Sequence, residues 1–186
     1  MKRLLDLAVS LVALILLSPV MALVALAVRF DSPGPAVFWS QRFGRDGRLF
    51  AMPKFRTMRI GTPQLPTHLL GDGAARLTGI GGFLRRASLD ELPQLYSVLR
   101  GHMSLVGPRP ALFNQHDLMR MRREAGVDAL RPGITGWAQV NGRDELDLAA
   151  KVAYEAEYLE RSSVGFDCRI LWLTVLRVLD RKGIAH

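Results

Sequence analysis

With 186 residues, nearly half of them apolar, the chain has the size and composition of one folded domain, which excludes a disordered polypeptide. Lys and Arg number 25 against 17 Asp and Glu, a formal net charge of +8 that calls for an anionic partner: nucleic acid, lipid headgroups or a phosphorylated small molecule. The lone Cys168 leaves no intrachain disulfide, which fits a reducing, cytoplasm-facing setting, and the scattered His68, His102, His116 and His186 lack zinc-ligand spacing.

Leu7 to Val28 is an uncharged stretch of 22 residues, above the roughly 18 that mark a membrane helix. A cleaved signal peptide fits poorly, because the apolar core is too long and Asp6 dilutes the basic start made by Lys2 and Arg3. Two readings remain. One is a simple spanning helix. The other turns on Ser18-Pro19 at the middle of the run, where proline removes a backbone donor and serine can serve the carbonyl so freed. Each half then holds about ten apolar residues, roughly 15 Å or half the hydrocarbon thickness. Such a hairpin enters and leaves by one face. The flanks favour it: Lys2 and Arg3 precede the run while Arg29, Arg42, Arg45 and Arg48 follow, and only a re-entrant path keeps both basic ends on the cytoplasmic side.

Pro33-Gly34-Pro35 closes the membrane segment. A strand is predicted over Ala36–Gln41, a turn over Gly44–Gly47, and a second strand over Leu49–Met58, interrupted by Pro53. Ile60–Ala75 is rich in Gly, Pro and Thr and reads as a loop near the substrate. Helical spacing resumes over Ile80–Arg86 and again over Asp90–Leu99, where Leu92, Leu95, Val98 and Leu99 share a face and Gly101 is a stop. Ser88 and Glu91 have capping-box spacing, which places Asp90 and Glu91 in a first helical turn; on spacing alone, capping accounts for them. Val106–Pro110 is a rigid turn carrying Arg109, and Ala111–Ala125 is a basic helix. Arg131–Arg143 combines glycines, amides and two arginines, as a loop around a phosphorylated ligand does. Asp147–Arg161 reads as an exposed helix. Asp167–Leu179 is amphipathic, equally suited to a core or to headgroups met by Arg169, Arg177, Arg181 and Lys182. Nucleic acid is disfavoured as the anion, since the basic residues are not interleaved with aromatics and no binding motif is present.

At Ser88-Leu-Asp-Glu-Leu-Pro-Gln-Leu95 the chain resembles the bacterial sugar transferases known as monotopic phosphoglycosyl transferases. Lys54–Met58, Phe83–Arg85, Met103–Pro110, Arg131–Gly136 and Gln139–Arg143 resemble family blocks in family order, and the Ser-Pro-interrupted membrane segment matches too. The resemblance implies an α+β, mainly helical fold. A re-entrant membrane helix-break-helix over residues 1–30, broken at Ser18 and Pro19, precedes a cytoplasmic-face catalytic domain with interfacial helices over 31–186. Because the chain begins directly at the re-entrant unit, the small form of the family is the expectation. Departures from the family pattern are His102, Ser97, Gly79, Gly82, Asp144, Leu148 and Glu155, the last standing where Asp is usual.

The resemblance further implies Asp90 as nucleophile and Glu91, with Asp90 beside it, as the ligand of a magnesium ion. A carboxylate with a reference pKa near 3.9 needs no base to be ionised near neutral pH, and attack on phosphorus splits one displacement into two. Lys54, Arg85, Arg109 and Arg143 are the candidate phosphate-binding cations, with Pro108, Pro110 and Gln139 as nucleotide contacts. The implied reaction moves a sugar-1-phosphate from a UDP-sugar, an N-acetylated amino or deoxyamino sugar by family habit, to undecaprenyl phosphate with release of UMP. Such transfer initiates glycoconjugate assembly at the bacterial inner membrane. The lipid bilayer and downstream glycosyltransferases are partners implied with it, and a homodimer is compatible. A non-catalytic membrane adaptor is the rival class.

Overall fold

In the computed structural model of the chain, Lys2–Asp31 form one helix of 30 residues, α1. The structure describes residues 1–65, 73, 75–142 and 146–180, the side chains of 178–180 excepted. Pro19 lies inside α1 without ending it. The proline lacks the N–H that would meet the Ile15 carbonyl four residues back, and the Ser18 hydroxyl donates to that same carbonyl at 2.8 Å. The expected break at Ser18-Pro19 is therefore no interruption of the helix, because the freed carbonyl has found a new donor.

Both ends of α1 are fastened to the rest of the chain. At its start, the buried Asp6 carboxylate accepts from the Leu105 N–H (3.1 Å) and the Ser104 hydroxyl (2.9 Å), and Lys2 Nζ meets Asp167 Oδ2 at 2.5 Å. At its end, Val24 and Val28 pack with Phe55 and Leu84, and Asp31 accepts from the Ile80 N–H at 3.3 Å. Asp6→Ala takes the acceptor from two buried donors, the Ser104 hydroxyl and the Leu105 N–H, so it is expected to lower unfolding free energy by about 2–3 kcal/mol. Chemical denaturation in detergent checks this, and a loss below about 0.5 kcal/mol would show that the latch carries no weight.

Strands β1 (Val37–Phe43) and β2 (Leu49–Phe55) form an antiparallel hairpin, with Phe38 opposite Lys54 and Arg42 opposite Phe50. Pro53 stands within β2 opposite Trp39. A two-stranded sheet leaves outward N–H positions unpaired, so the proline costs no ladder bond there. The second strand ends at Phe55, short of Met58, which makes only an isolated bridge to Leu77. The Arg56 guanidinium turns back to the Pro35 and Ser32 carbonyls and the Ser32 hydroxyl at 2.6–2.8 Å, tying down the link from α1 to β1.

Helices α2 (Gly81–Arg86) and α3 (Gln94–Leu99) follow, then β3 (Ser104–Val106), α4 (His116–Glu124), β4 (Gly133–Thr135), α5 (Trp137–Asn141), α6 (Leu148–Arg161) and α7 (Val164–Asp180). The parallel pair β3–β4 brings backbones so close at Gly107 that a Cβ there would lie 2.3 Å from the Arg131 carbonyl. Residues 131–143 are thus only partly a loop: they supply β4 and α5. The basic helix starts at His116, not Ala111, because residues 111–115 make a turn in which Gln115 Oε1 accepts from the Leu112 N–H at 2.8 Å. Helix α6 is capped by Asp147, whose Oδ1 accepts from the Ala150 N–H at 2.7 Å. It was expected to be exposed, yet it buries Val152, Glu155 and Tyr158, which fall three residues apart on one face. Tyr158 joins Leu95, Leu105, Val106, Val140, Phe166 and Ile170 in the main core. Helix α7 is a core helix on one side, with Phe166 and Ile170 facing that core, and leaves Trp172, Val175 and Leu176 exposed on the other. The architecture is α+β and mainly helical, as the sequence implied.

Candidate active site

Asp90 and Glu91 lie in a tight 3₁₀ turn, Leu89–Glu91, ahead of α3. The capping-box expectation is corrected here: Ser88 takes a left-handed backbone conformation (φ 54°) and its side chain makes no cap bond. The single helix expected over Asp90–Leu99 is also corrected. Pro93 has no N–H to offer Leu89, so α-helical bonding cannot run through it, and α3 begins at Gln94. With α3 only six residues long, the positive field at the pair comes from side chains instead.

Four cations from four separate segments supply it. Lys54 on β2 places Nζ 3.7 Å from Asp90 Oδ2, and Arg109, in the turn after β3, places Nη2 3.1 Å from Glu91 Oε1. Arg85 at the end of α2 donates Nε–H to Thr57 Oγ1 at 3.0 Å, and its charge acts on Asp90. Arg42 on β1 donates to the Pro110 carbonyl (3.0 Å) and to Ser40 Oγ (3.1 Å). Arg42, Met52, Lys54, Glu91, Gln94, Arg109 and Pro110 together line a narrow cleft of about 10 Å³, the space of one water molecule. A larger open hollow of about 380 Å³ lies beside Phe43, His116 and Arg123, but the carboxylate–cation pair on its wall, Asp117 with Arg120 at 3.1 Å, is exposed to solvent where Asp90 is buried.

Burial sets the titration of the group. It pushes the Asp90 carboxyl up from its ordinary value, with Lys54 pulling it down and Glu91 adding to the rise. Burial likewise lowers Lys54, against the pull of Asp90 and Glu91, and lowers Arg85. Arg42 falls to about 10, through burial first and the neighbouring Arg109 second. Four cations against two carboxylates leave the site net positive, suited to an anion that carries more than one charge.

Of the residues expected from sequence, Lys54, Arg85, Asp90, Glu91, Arg109 and Pro110 come together. Pro108 stands beside Arg109 in the same turn, its carbonyl accepting from the Gly133 N–H at 2.8 Å, and it does not line the cleft. Gln139 is buried on α5 beside Gly136, its amide atoms without hydrogen-bond partners among the described residues, and it does not line the cleft. Arg143 lies outside the described residues. Arg42 and Gln94 were missed. Arg42 had been counted only as a flanking charge, yet its signal was present: folding 36–58 about the Gly44–Gly47 turn puts residues 42 and 54 on one face of the hairpin.

The family model described as "Bacterial sugar transferase" matches residues 1–181. The UDP-glucose:undecaprenyl-phosphate glucose-1-phosphate transferase of Escherichia coli (strain K12) is 41% identical over 98% of this chain and 41% of its own length. The UDP-N-acetylgalactosamine-undecaprenyl-phosphate N-acetylgalactosaminephosphotransferase of Aeromonas hydrophila is 35% identical over 98% of this chain and 44% of its own. The uncharacterized sugar transferase EpsL of Bacillus subtilis (strain 168) is 39% identical over 99% of this chain and 90% of its own. The chain thus spans about two fifths of the length of the first two relatives and most of the third.

Proposed function

The chain belongs to the bacterial sugar transferase family, and on that premise we propose that it transfers a sugar-1-phosphate from a UDP-sugar to undecaprenyl phosphate through a covalent intermediate on Asp90. The observation that carries this reading is the buried Asp90 carboxylate paired with Lys54, a lysine that also lines the adjoining cleft with Arg42 and Arg109, cations suited to a diphosphate. One Asp90 oxygen attacks the sugar-bearing β-phosphorus. The bond from that phosphorus to the bridging oxygen breaks, and the electron pair leaves with UMP. A phosphate oxygen of the lipid then attacks the aspartyl phospho-sugar and returns the carboxylate, giving the lipid diphosphate-sugar. Lys54 orients Asp90 and offsets its charge against the incoming diphosphate. Arg42, Arg85 and Arg109 bind phosphate oxygens as charge moves to the leaving UMP.

Magnesium fits as a shared ion rather than a caged one. Among the described residues no cluster of three or more His, Cys, Asp or Glu could hold a metal, whereas adjacent carboxylates plus substrate phosphates are the donor set magnesium favours. Glu91, with Asp90 beside it, would hold the ion, which supplies charge neutralisation on the diphosphate.

We place α1 in the bilayer as a one-face insertion. At about 1.5 Å per residue its 30 residues reach about 45 Å, beyond the roughly 30 Å of hydrocarbon. Only 11% of its most apolar window is buried, too little for a soluble core helix. Spanning would set its ends on opposite faces, yet Lys2, Asp6, Val28 and Asp31 all engage the same folded body, while none of residues 11–23 is buried. The basic flanks support the cytoplasmic face. In a Cys168→Ser background, Leu4→Cys and Phe30→Cys are expected to react with an impermeant maleimide from the same side. Labelling from opposite sides would sink the one-face path.

The sugar is assigned by experiment. The relatives above are named for glucose and N-acetylgalactosamine, so UMP release is measured over a panel containing both, with deoxyamino sugars, undecaprenyl phosphate and magnesium. At least one UDP-sugar is expected to release UMP in a lipid-phosphate-dependent way; silence across the panel overturns the reading.

A further inference from the structure

Arg122 on α4 and Glu155 on α6 form an ion pair that is almost sealed from solvent, with side chains 5% and 2% exposed. The pairing is two-pronged: Nε–H donates to Glu155 Oε2 at 2.7 Å and Nη2–H to Oε1 at 2.5 Å. Burying two charges gains little stability over an apolar pair of similar volume, and the surrounding core of Ala111, Leu118, Met119 and Val152 would accept one. The third contact of the guanidinium distinguishes it. Arg122 Nη2–H also donates to the backbone carbonyl of Arg109 at 2.9 Å, in the turn whose guanidinium reaches Glu91.

That carbonyl belongs to a run held at every step. The Pro108 carbonyl accepts from the Gly133 N–H, that of Arg109 from Arg122, that of Pro110 from Arg42, and that of Ala111 from the Phe43 N–H. Arg122 is the member of this set that reaches the turn from behind, out of the core, with Glu155 fixing its plane. Arg109 itself is half exposed, so its aim depends on its backbone more than on packing around its side chain.

We infer that the Arg122–Glu155 pair is a positioning device, fixing the Arg109 guanidinium toward the substrate diphosphate by gripping the Arg109 carbonyl from the core. The inference rests on the phosphate-binding reading of Arg109 given above. Neither Arg122 nor Glu155 touches substrate. Their effect passes through one carbonyl, and errors of about 1 Å at a charged contact of this kind cost up to about a hundredfold.

The test is the double variant Arg122→Met with Glu155→Leu, which keeps volume and removes both charges together, so the fold survives while the carbonyl loses its donor. Binding of UDP to purified protein in detergent is measured with thermal unfolding, and kcat and KM for UMP release are measured alongside. The expected result is an unchanged unfolding temperature with UDP affinity weakened about tenfold, KM raised in step, and no further weakening when the pair is replaced in an Arg109→Ala background. Arg122→Lys, which keeps the charge but not the fork, is expected to fold and to lie between wild type and the double variant. UDP affinity within twofold of wild type in either folded variant overturns the inference alone. So does a loss that multiplies with that of Arg109→Ala, which marks a general structural role. A wild-type chain that neither binds UDP nor releases UMP takes the functional reading down and this inference with it.

Discussion

Asp90→Asn is expected to cut UMP release by at least about a thousandfold, with the protein still folded. Asparagine keeps the shape and one acceptor of the side chain, and it removes the carboxylate that pairs with Lys54. An amide cannot attack phosphorus, so what remains is whatever the cations achieve by binding alone, and losses of about 10³–10⁶ are usual when a nucleophile is deleted. Wild-type protein mixed with UDP-sugar and magnesium, without lipid acceptor, is expected to gain the mass of one phospho-sugar on the peptide containing Asp90. If Asp90→Asn retains activity within tenfold, or quenched samples stay unmodified through turnover, a direct transfer between the two substrates replaces the two-step path.

The second large effect is at Lys54, and it shows in the pH profile. Asp90 acts ionised, and burial lifts its pKa above that of a free carboxyl, so the acid limb of kcat/KM is expected above the ordinary carboxylate range near 3.9. Lys54 opposes that lift, since its charge favours the ionised carboxylate. Lys54→Met therefore moves the acid limb to still higher pH and lowers the plateau by about a hundredfold or more, as one oriented charge is lost. The alkaline side follows from the same pair. Burial lowers Lys54, so its charge is lost below the ordinary value near 10.4 and the rate falls with it. Lys54→Arg keeps its charge to higher pH than the lysine does, so the alkaline limb is expected to move upward while the acid limb stays near wild type. An acid limb that does not respond to Lys54→Met would show that the ion pair does not tune Asp90.

Much of the site was legible because its chemistry is written in contiguous blocks. Lys54, Arg85, Asp90, Glu91 and Arg109 were all singled out from short stretches, and they converge. Arg42 was not, because its role depends on strand register: only pairing with β2 shows that it shares a face with Lys54. The capping box at Ser88 failed for a related reason. Spacing of Ser and Glu says nothing about Pro93 two residues later, whose missing N–H forbids the helix that the cap would begin. Glu155 read as a surface residue on an exposed helix, and burial against α4 made it the partner of Arg122.

Composition and neighbours along the chain suffice for some of the protein's properties. These are the apolar N-terminal helix with its Ser-Pro pair, the excess of basic charge, the adjacent carboxylates, and the ordered blocks of a sugar transferase. Tertiary structure alone decided which charges meet. It fastened both ends of α1 to one body through Asp6 and Asp31, brought Arg42 to the cleft, and set Arg122 behind Arg109. Each of these contacts joins residues 13 to 98 positions apart. Their formation depends on the packing of several elements at once, and no local pattern encodes that.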